Sequence, residues 1–247
     1  MPEGDTLWRT AAALRPRLLE RAVRRAWPQP LARLTGKRVV GIDANGKHLL
    51  MRFEGGLILH SHMRMTGSWH IYAPGQRWRR PQHLARAVLE FDDVVAVAFS
   101  APVVELIRDE AARTGHLGPD ILAADFDAAV ACRLARLSDR VEVGDVLLDQ
   151  RVCAGIGNIY RCETMWLHQV DPFMRVADIG DVDLAQLYLT ARRLMVASAT
   201  GSAAPRRRAV HARSGRPCRR CGQGIRTRTQ GTLARLTYYC PCCQAAR

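Results

Sequence analysis

Two groups of residues in this 247-residue chain have types and spacings that could do chemistry. The first opens it: Met1-Pro2-Glu3. Removal of Met1 would leave Pro2 with a secondary amine titrating at roughly 7.7 to 8, partly neutral and nucleophilic at physiological pH. Such an amine attacking an aldehyde-level carbon gives a cationic iminium, and the Glu3 carboxylate next door could supply and remove protons. Alone the tripeptide is weak evidence, because many chains begin this way by chance. The second group closes the chain: Cys218-x-x-Cys221, eighteen residues, then Cys240-x-x-Cys243. Four thiolates in two knuckles form a tetrahedral zinc site with no open position, so the role is structural. Cys242 offers another fourth ligand, but Cys243 restores the two-residue gap. Buried thiols without metal are a poor alternative for five Cys within twenty-six otherwise polar residues.

These groups need elements to hold them. Leu7, Ala11, Leu14 and Leu18 recur at helical spacing and predict a helix over 3–20. Strands are expected at 38–42, 48–53, 57–60, 85–91 and 94–99, with Gly55-Gly56 as a hairpin turn. From residue 126 the periodicity turns helical, predicting helices over 127–137, 145–153, 160–169 and 182–199, interrupted at Gly155-Ile156-Gly157-Asn158. The stretch 199–217, rich in Ala, Ser, Gly and Arg, reads as a mobile basic connector. The expectation is an α+β chain: an N-terminal helix with an antiparallel two-sheet β-sandwich, then a helical domain, then a small β-hairpin zinc ribbon.

Charge narrows the partner. Lys and Arg number 37 against 23 Asp and Glu, a net +14, which disfavours an enzyme of acidic character and points to a polyanion. Residues 201–247 carry eleven Arg and no acid. Arg219, Arg220, Arg226, Arg228 and Arg235 decorate the ribbon, where guanidinium forks suit phosphates, while Tyr238 and Tyr239 either pack or stack on bases. No apolar run approaches the ~20 residues of a membrane span. The acidic start lacks the basic, apolar pattern of a secretion signal, so a cytoplasmic, nucleoid-associated protein with reduced thiols and no membrane partner is expected.

The order of motifs is distinctive: Pro2-Glu3-Gly4-Asp5, Gly46-Lys47-His48-Leu49-Leu50, His62-Met63-Arg64-Met65-Thr66-Gly67, His116-Leu117-Gly118-Pro119-Asp120, Leu147-Leu148-Asp149-Gln150, Gly155-Ile156-Gly157-Asn158-Ile159-Tyr160 and the Cys ribbon. It resembles the formamidopyrimidine-DNA glycosylase / endonuclease VIII family of base-excision repair enzymes, from residue 2 to residue 244. The resemblance implies a bifunctional glycosylase and abasic-site lyase, a monomer acting on damaged DNA with one structural zinc ion. It implies a β-sandwich catalytic domain at 1–120, a helix–two-turn–helix DNA-binding domain at 126–200, and the connector and ribbon at 201–247. Pro2 would be the nucleophile, Glu3 the acid/base and Lys47 the lysine beside the active-site phosphate. His62, Asn158 and Arg235 would contact DNA backbone, and Met65 would be the wedge filling the space of the flipped nucleotide. Read on their own, Lys47 is an ordinary turn lysine, His62 a satisfied structural histidine and Met65 a core residue.

The Pro-Glu-Gly opening is like the endonuclease VIII branch, which takes oxidised pyrimidines. Thr6 replaces a second Glu, Phe99-Ser100-Ala101-Pro102 stands near where the purine branch carries Asp-x-Arg-x-Phe-Gly, and Val210-His211-Ala212-Arg213 replaces Val-Tyr-Gly-Arg. A purine-directed glycosylase and a non-catalytic DNA-binding relative remain the alternatives.

Overall fold

The computed structural model describes residues 2–138, 140–202, 207–232 and 234–245. Met1 and positions 203–206 of the expected connector lie outside the described residues. The chain divides into two compact units, Met1–His116 and Leu117–Arg247.

The first unit opens with α1 (Gly4–Leu18), which buries the predicted stripe of Leu7, Ala11, Leu14 and Leu18. Two four-stranded antiparallel sheets follow. One has the order β2 (Val39–Asn45), β3 (His48–Phe53), β4 (Leu57–His62), β8 (Val103–Ile107); the other runs β1 (Arg25–Trp27), β6 (Ala85–Glu90), β7 (Val95–Phe99), β5 (Ser68–Tyr72). Alternation sends Leu49, Met51, Phe53, Leu57 and Leu59 into one core with α1 and with Ala87, Leu89, Ala96 and Ala98. A separate cluster of Tyr72, Val88, Val97 and Phe99 is capped by Trp78 and Leu84.

In the second unit α3 (Ala128–Arg136), α5 (Asn158–His168) and α6 (Asp181–Thr200) surround a core that includes Ile156, Met165, Leu184, Leu187, Tyr188 and Met195. β9 (Arg226–Gln230) and β10 (Arg235–Tyr239) form an antiparallel hairpin. Cys162 and Trp166 of α5 pack with Val210, Cys218, Ile225 and Cys240 in a third cluster.

Four expectations need correction. Three strands lacked a usable sequence signal: β1 has three residues, β5 is only half-buried along most of its length, and β8 shows no burial alternation. Helix 145–153 shrinks to α4 (Val143–Val146), because the Asp149 carbonyl and carboxylate take the N–H groups of Arg151, Val152 and Cys153 in turns. The first helix begins one residue late, with Glu3 as its N-cap. The connector is held in part: the Glu163 carboxylate accepts backbone N–H bonds from Ala209, Val210 and His211 at 2.8, 3.0 and 2.9 Å.

Candidate functional site

Glu3 is 1% exposed, although a carboxylate is costly to bury without partners. Its backbone carbonyl starts α1 by accepting the N–H groups of Thr6 and Leu7 at 2.9 and 3.3 Å, so its backbone is fixed by the helix that follows. Pro2, half-buried, precedes it where Pro costs no helical hydrogen bond.

Lys47 occupies the second position of a two-residue turn closed by the Asn45–His48 pair. Gly46 supplies the positive φ (56°) that such a tight hairpin requires. The next residue on β3, His48, stands directly opposite His62 on β4, with ring centroids 5.1 Å apart edge to face. His48 also stacks on His60 at 5.0 Å, and its Nδ1 lies 2.8 Å from His60 Nε2. His60 is 2% exposed and directs its Nδ1 at Glu105 Oε1, 2.9 Å away on β8. Arg113 binds both Glu105 oxygens at 2.7 and 3.0 Å. The pattern period of two, with the register of the pairs, puts His48, His60, His62 and Glu105 on one face of the β2–β3–β4–β8 sheet.

This environment sets protonation. Burial first, and then repulsion between its protonated form and the neighbouring His62, His60, His116 and Lys47, lowers His48 to about 3. Burial and the neighbouring Arg64, Lys47 and His60 lower His62 to about 4, while the Arg64 backbone N–H donates to its Nδ1 at 3.1 Å. Both rings are therefore neutral at pH 7. The Arg113 guanidinium and the His60 ring bring Glu105 down to about 2 against the opposing effect of burial.

Met65 and Met63 divide their roles by exposure: Met63 is 1% exposed in the core, whereas Met65 is 58% exposed. The turn between them and Gly67 is tight, since a Cβ on Gly67 would stand 2.7 Å from Met63 Cα. Thus Lys47 and His62 come together, Met65 follows three residues later, and Pro2 and Glu3 stand on a different element of the same unit.

In the second unit Asn158 begins α5, after extended Gly157. Its Nδ2 donates to the Leu236 carbonyl at 2.9 Å, which ties the helix start to the strand carrying exposed Arg235. Arg161, fully buried, donates to Asn158 Oδ1 at 2.6 Å and to Leu236 O and Gln230 Oε1 at 3.3 Å each. Gln230 also donates to Glu142 Oε2 and Pro172 O at 2.7 and 2.8 Å and accepts from Thr237 at 2.6 Å. Sequence reading missed Arg161; the available signal was an Arg at a helix position whose neighbours at one, four and five residues on, Cys162, Met165 and Trp166, are all apolar. It also missed His48, His60 and Glu105, whose meaning depends on strand register.

The sulfur atoms of Cys218, Cys221, Cys240 and Cys243 lie within 4.8 Å of one another, and exposed Cys242 is outside the group. N–H groups of Trp166 and Arg220 point at Cys218 Sγ (3.3 and 3.4 Å), and that of Cys243 at Cys240 Sγ (3.4 Å). Four soft donors supported by N–H···S contacts fit a tetrahedral zinc ion. The ribbon tyrosines pack: Tyr238 lies against His211 at 5.0 Å and Tyr239 edge-on to Phe173 at 5.1 Å.

Residues 1–102 match the formamidopyrimidine-DNA glycosylase N-terminal domain, and residues 117–204 match the formamidopyrimidine-DNA glycosylase H2TH domain. Among curated proteins the chain is 41% identical to "Probable endonuclease 8 2" of Streptomyces coelicolor, over 99% of this chain and 94% of the relative. It is 37% identical to "DNA-(apurinic or apyrimidinic site) lyase Nei2" of Mycolicibacterium smegmatis, over the full length of both. Its fold is similar to Lactococcus lactis formamidopyrimidine-DNA glycosylase crystallised with damaged DNA (TM-score 0.84, 22% identity, covering 99% and 100% of the two chains). Among the described residues, no helix is long and apolar enough to cross a membrane.

Proposed function

The chain belongs to the formamidopyrimidine-DNA glycosylase family, and we propose that it is a bifunctional glycosylase and abasic-site lyase that removes oxidised pyrimidines from DNA. The observation carrying this reading is the buried Glu3 carboxylate one residue from Pro2, at the start of a helix that fixes both.

Once Met1 is removed, the neutral Pro2 nitrogen attacks C1′ of the damaged nucleotide, and the bond from C1′ to the base breaks, the base taking the bonding pair and a proton from water whose hydroxide then receives the Pro2 N–H proton. Glu3 gives a proton to O4′ as the C1′–O4′ bond opens, and the Pro2 N–H proton is lost, which leaves a cationic iminium. That cation draws electrons from the C2′–H bond. Loss of the C2′ proton forms a C2′–C3′ double bond and expels the 3′ phosphate, which nicks the strand. Water then releases the enzyme.

Lys47 and the neutral His62 bind phosphate oxygens in the first unit. Lys47 does so as a point charge, and His62 as a neutral donor through Nε2, because its Nδ1 already accepts from Arg64. Asn158 at the N-terminus of α5 and Arg235 bind phosphate in the second unit. Met65, exposed on its turn, is the wedge. Cys218, Cys221, Cys240 and Cys243 hold one zinc ion, which supplies a structural crosslink for the ribbon. The working form is a monomer on damaged DNA in the cytoplasm, associated with the nucleoid.

A nicking panel tests the reading. Duplexes carrying an abasic site or an oxidised pyrimidine should be cut by protein lacking Met1. Cutting of 8-oxoguanine opposite cytosine alone would make the enzyme purine-directed, and binding without any cutting would make it a non-catalytic relative.

A further inference from the structure

Between Glu54 and Glu90 the chain has no acidic residue, yet it carries Arg64, Arg77, Arg79, Arg80 and Arg86. Three of these flank Trp78 in the segment joining β5 to β6. A solvated loop would need no scaffold, and this one has one. Trp78 stacks on Tyr72 (6.2 Å) and meets Phe99 edge-on (5.6 Å), closing the outer face of its sheet. The Tyr72 hydroxyl accepts the Arg79 backbone N–H at 3.2 Å. Arg80 lies over the Phe99 ring at 6.0 Å and donates to Ser68 Oγ and Thr66 O at 3.0 and 3.4 Å.

The last contact joins this loop to the turn that presents Met65. Thr66 in turn donates to the Ser100 carbonyl at 3.1 Å, so the turn and the loop share one braced surface. Arg77 and Arg79 are exposed, and neither enters an ion pair among the described residues, in contrast to Arg15, Arg38 and Arg52 of the same unit. The loop lines a cleft of about 640 Å³. Concentrated positive charge with no internal partner, held rigid beside an open cleft, is suited to an extended polyanion.

We propose that the Arg77–Arg80 loop is a further DNA-binding element, whose Arg77 and Arg79 take backbone phosphates of the DNA strand running past Met65. This rests on the DNA-glycosylase reading above. Trp78 and Arg80 hold the loop, and the two exposed guanidiniums make the contacts.

The test is binding to a duplex with a non-cleavable abasic analogue, measured across a salt series. Wild-type protein is compared with Arg77→Ser/Arg79→Ser, and with the control Arg17→Ser/Arg33→Ser, which removes equal charge from exposed sites elsewhere in the unit. Each lost phosphate contact flattens the slope of log K against log salt by about 0.9, so the loop variant should lose about 1 to 2 in slope and roughly 10-fold in affinity at moderate salt. The control should match wild type, and both variants should keep the wild-type melting temperature. A loop variant equal to wild type, or to a weakened control, overturns the proposal while leaving the glycosylase reading intact. Failure of wild type itself to bind this DNA would instead sink the glycosylase reading, and the loop's role with it.

Discussion

His48 Nδ1 lies 2.8 Å from His60 Nε2, and this contact decides which nitrogen of His48 carries its proton. The ionised Glu105 accepts from His60 Nδ1, and the single-proton tautomer of His60 that this contact selects accepts at Nε2. His48 must donate through Nδ1, leaving its own Nε2 bare. His62, opposite on β4, has the reverse arrangement, because the Arg64 amide fills its Nδ1. Two facing imidazoles beside Lys47 thus hold opposite tautomers. Nitrogen-15 correlation spectra should show the proton on Nδ1 of His48 and on Nε2 of His62. The same tautomer in both rings would contradict this chain of donors.

Those depressed histidines make the fold acid-sensitive. His48 and His62 bind protons at about 3 and 4 when folded but near 6.5 when unfolded, and His211 is likewise lowered to about 4. The unfolded state therefore takes up more protons below pH 6.5, so stability falls as pH drops from 6.5 toward 4. After a discount for solvent screening of part-exposed rings, the loss should be of order 2 kcal/mol between pH 6.5 and 4.5. Glu105 adds its share only below about 4.5, as pH falls toward its folded value of about 2. Denaturant unfolding across this range checks the sign; a flat profile would refute it.

Gly144 has no room for a side chain, because a Cβ there would stand 2.4 Å from Gln230 Oε1. Gln230 cannot yield cheaply, since its amide binds Glu142, Pro172, Thr237 and Arg161. Gly144→Ala should destabilise the second unit by about 1–3 kcal/mol and weaken DNA binding through Asn158 and Arg235. Thermal unfolding and affinity for abasic-analogue DNA measure the two effects.

Metal analysis should find one zinc per chain, retained in Cys242→Ser and lost in Cys243→Ser. Chelation should reduce DNA affinity, because the ribbon strand that carries Arg235 also holds Asn158 through Leu236. Zinc lost in Cys242→Ser and kept in Cys243→Ser would reverse the ligand choice.

What was legible in the chain followed from local spacing. Leu7, Ala11, Leu14 and Leu18 announce α1, and the two Cys knuckles announce their own cluster, because neighbours in the chain determine both. What escaped depends on register or on distant partners. Nothing near Arg161 in sequence foretells that Gln230 and Leu236 will surround it. His60 meets Glu105 only because β4 and β8 pair in that register across 45 positions. The 145–153 segment reads as helical by periodicity, but the Asp149 carboxylate takes the Arg151 N–H and its carbonyl those of Val152 and Cys153, so the chain closes in turns instead.

The most direct test of the central claim is borohydride reduction of protein lacking Met1 on abasic-site DNA, followed by peptide mapping of the adduct. A reduced covalent adduct on the Pro2 nitrogen is predicted. It should be absent from protein whose Pro2 amine has been acetylated beforehand, and Glu3→Gln should cut strand nicking by roughly 100-fold or more. An adduct on a lysine with Pro2 unmodified, or no adduct while nicking proceeds, would contradict the account.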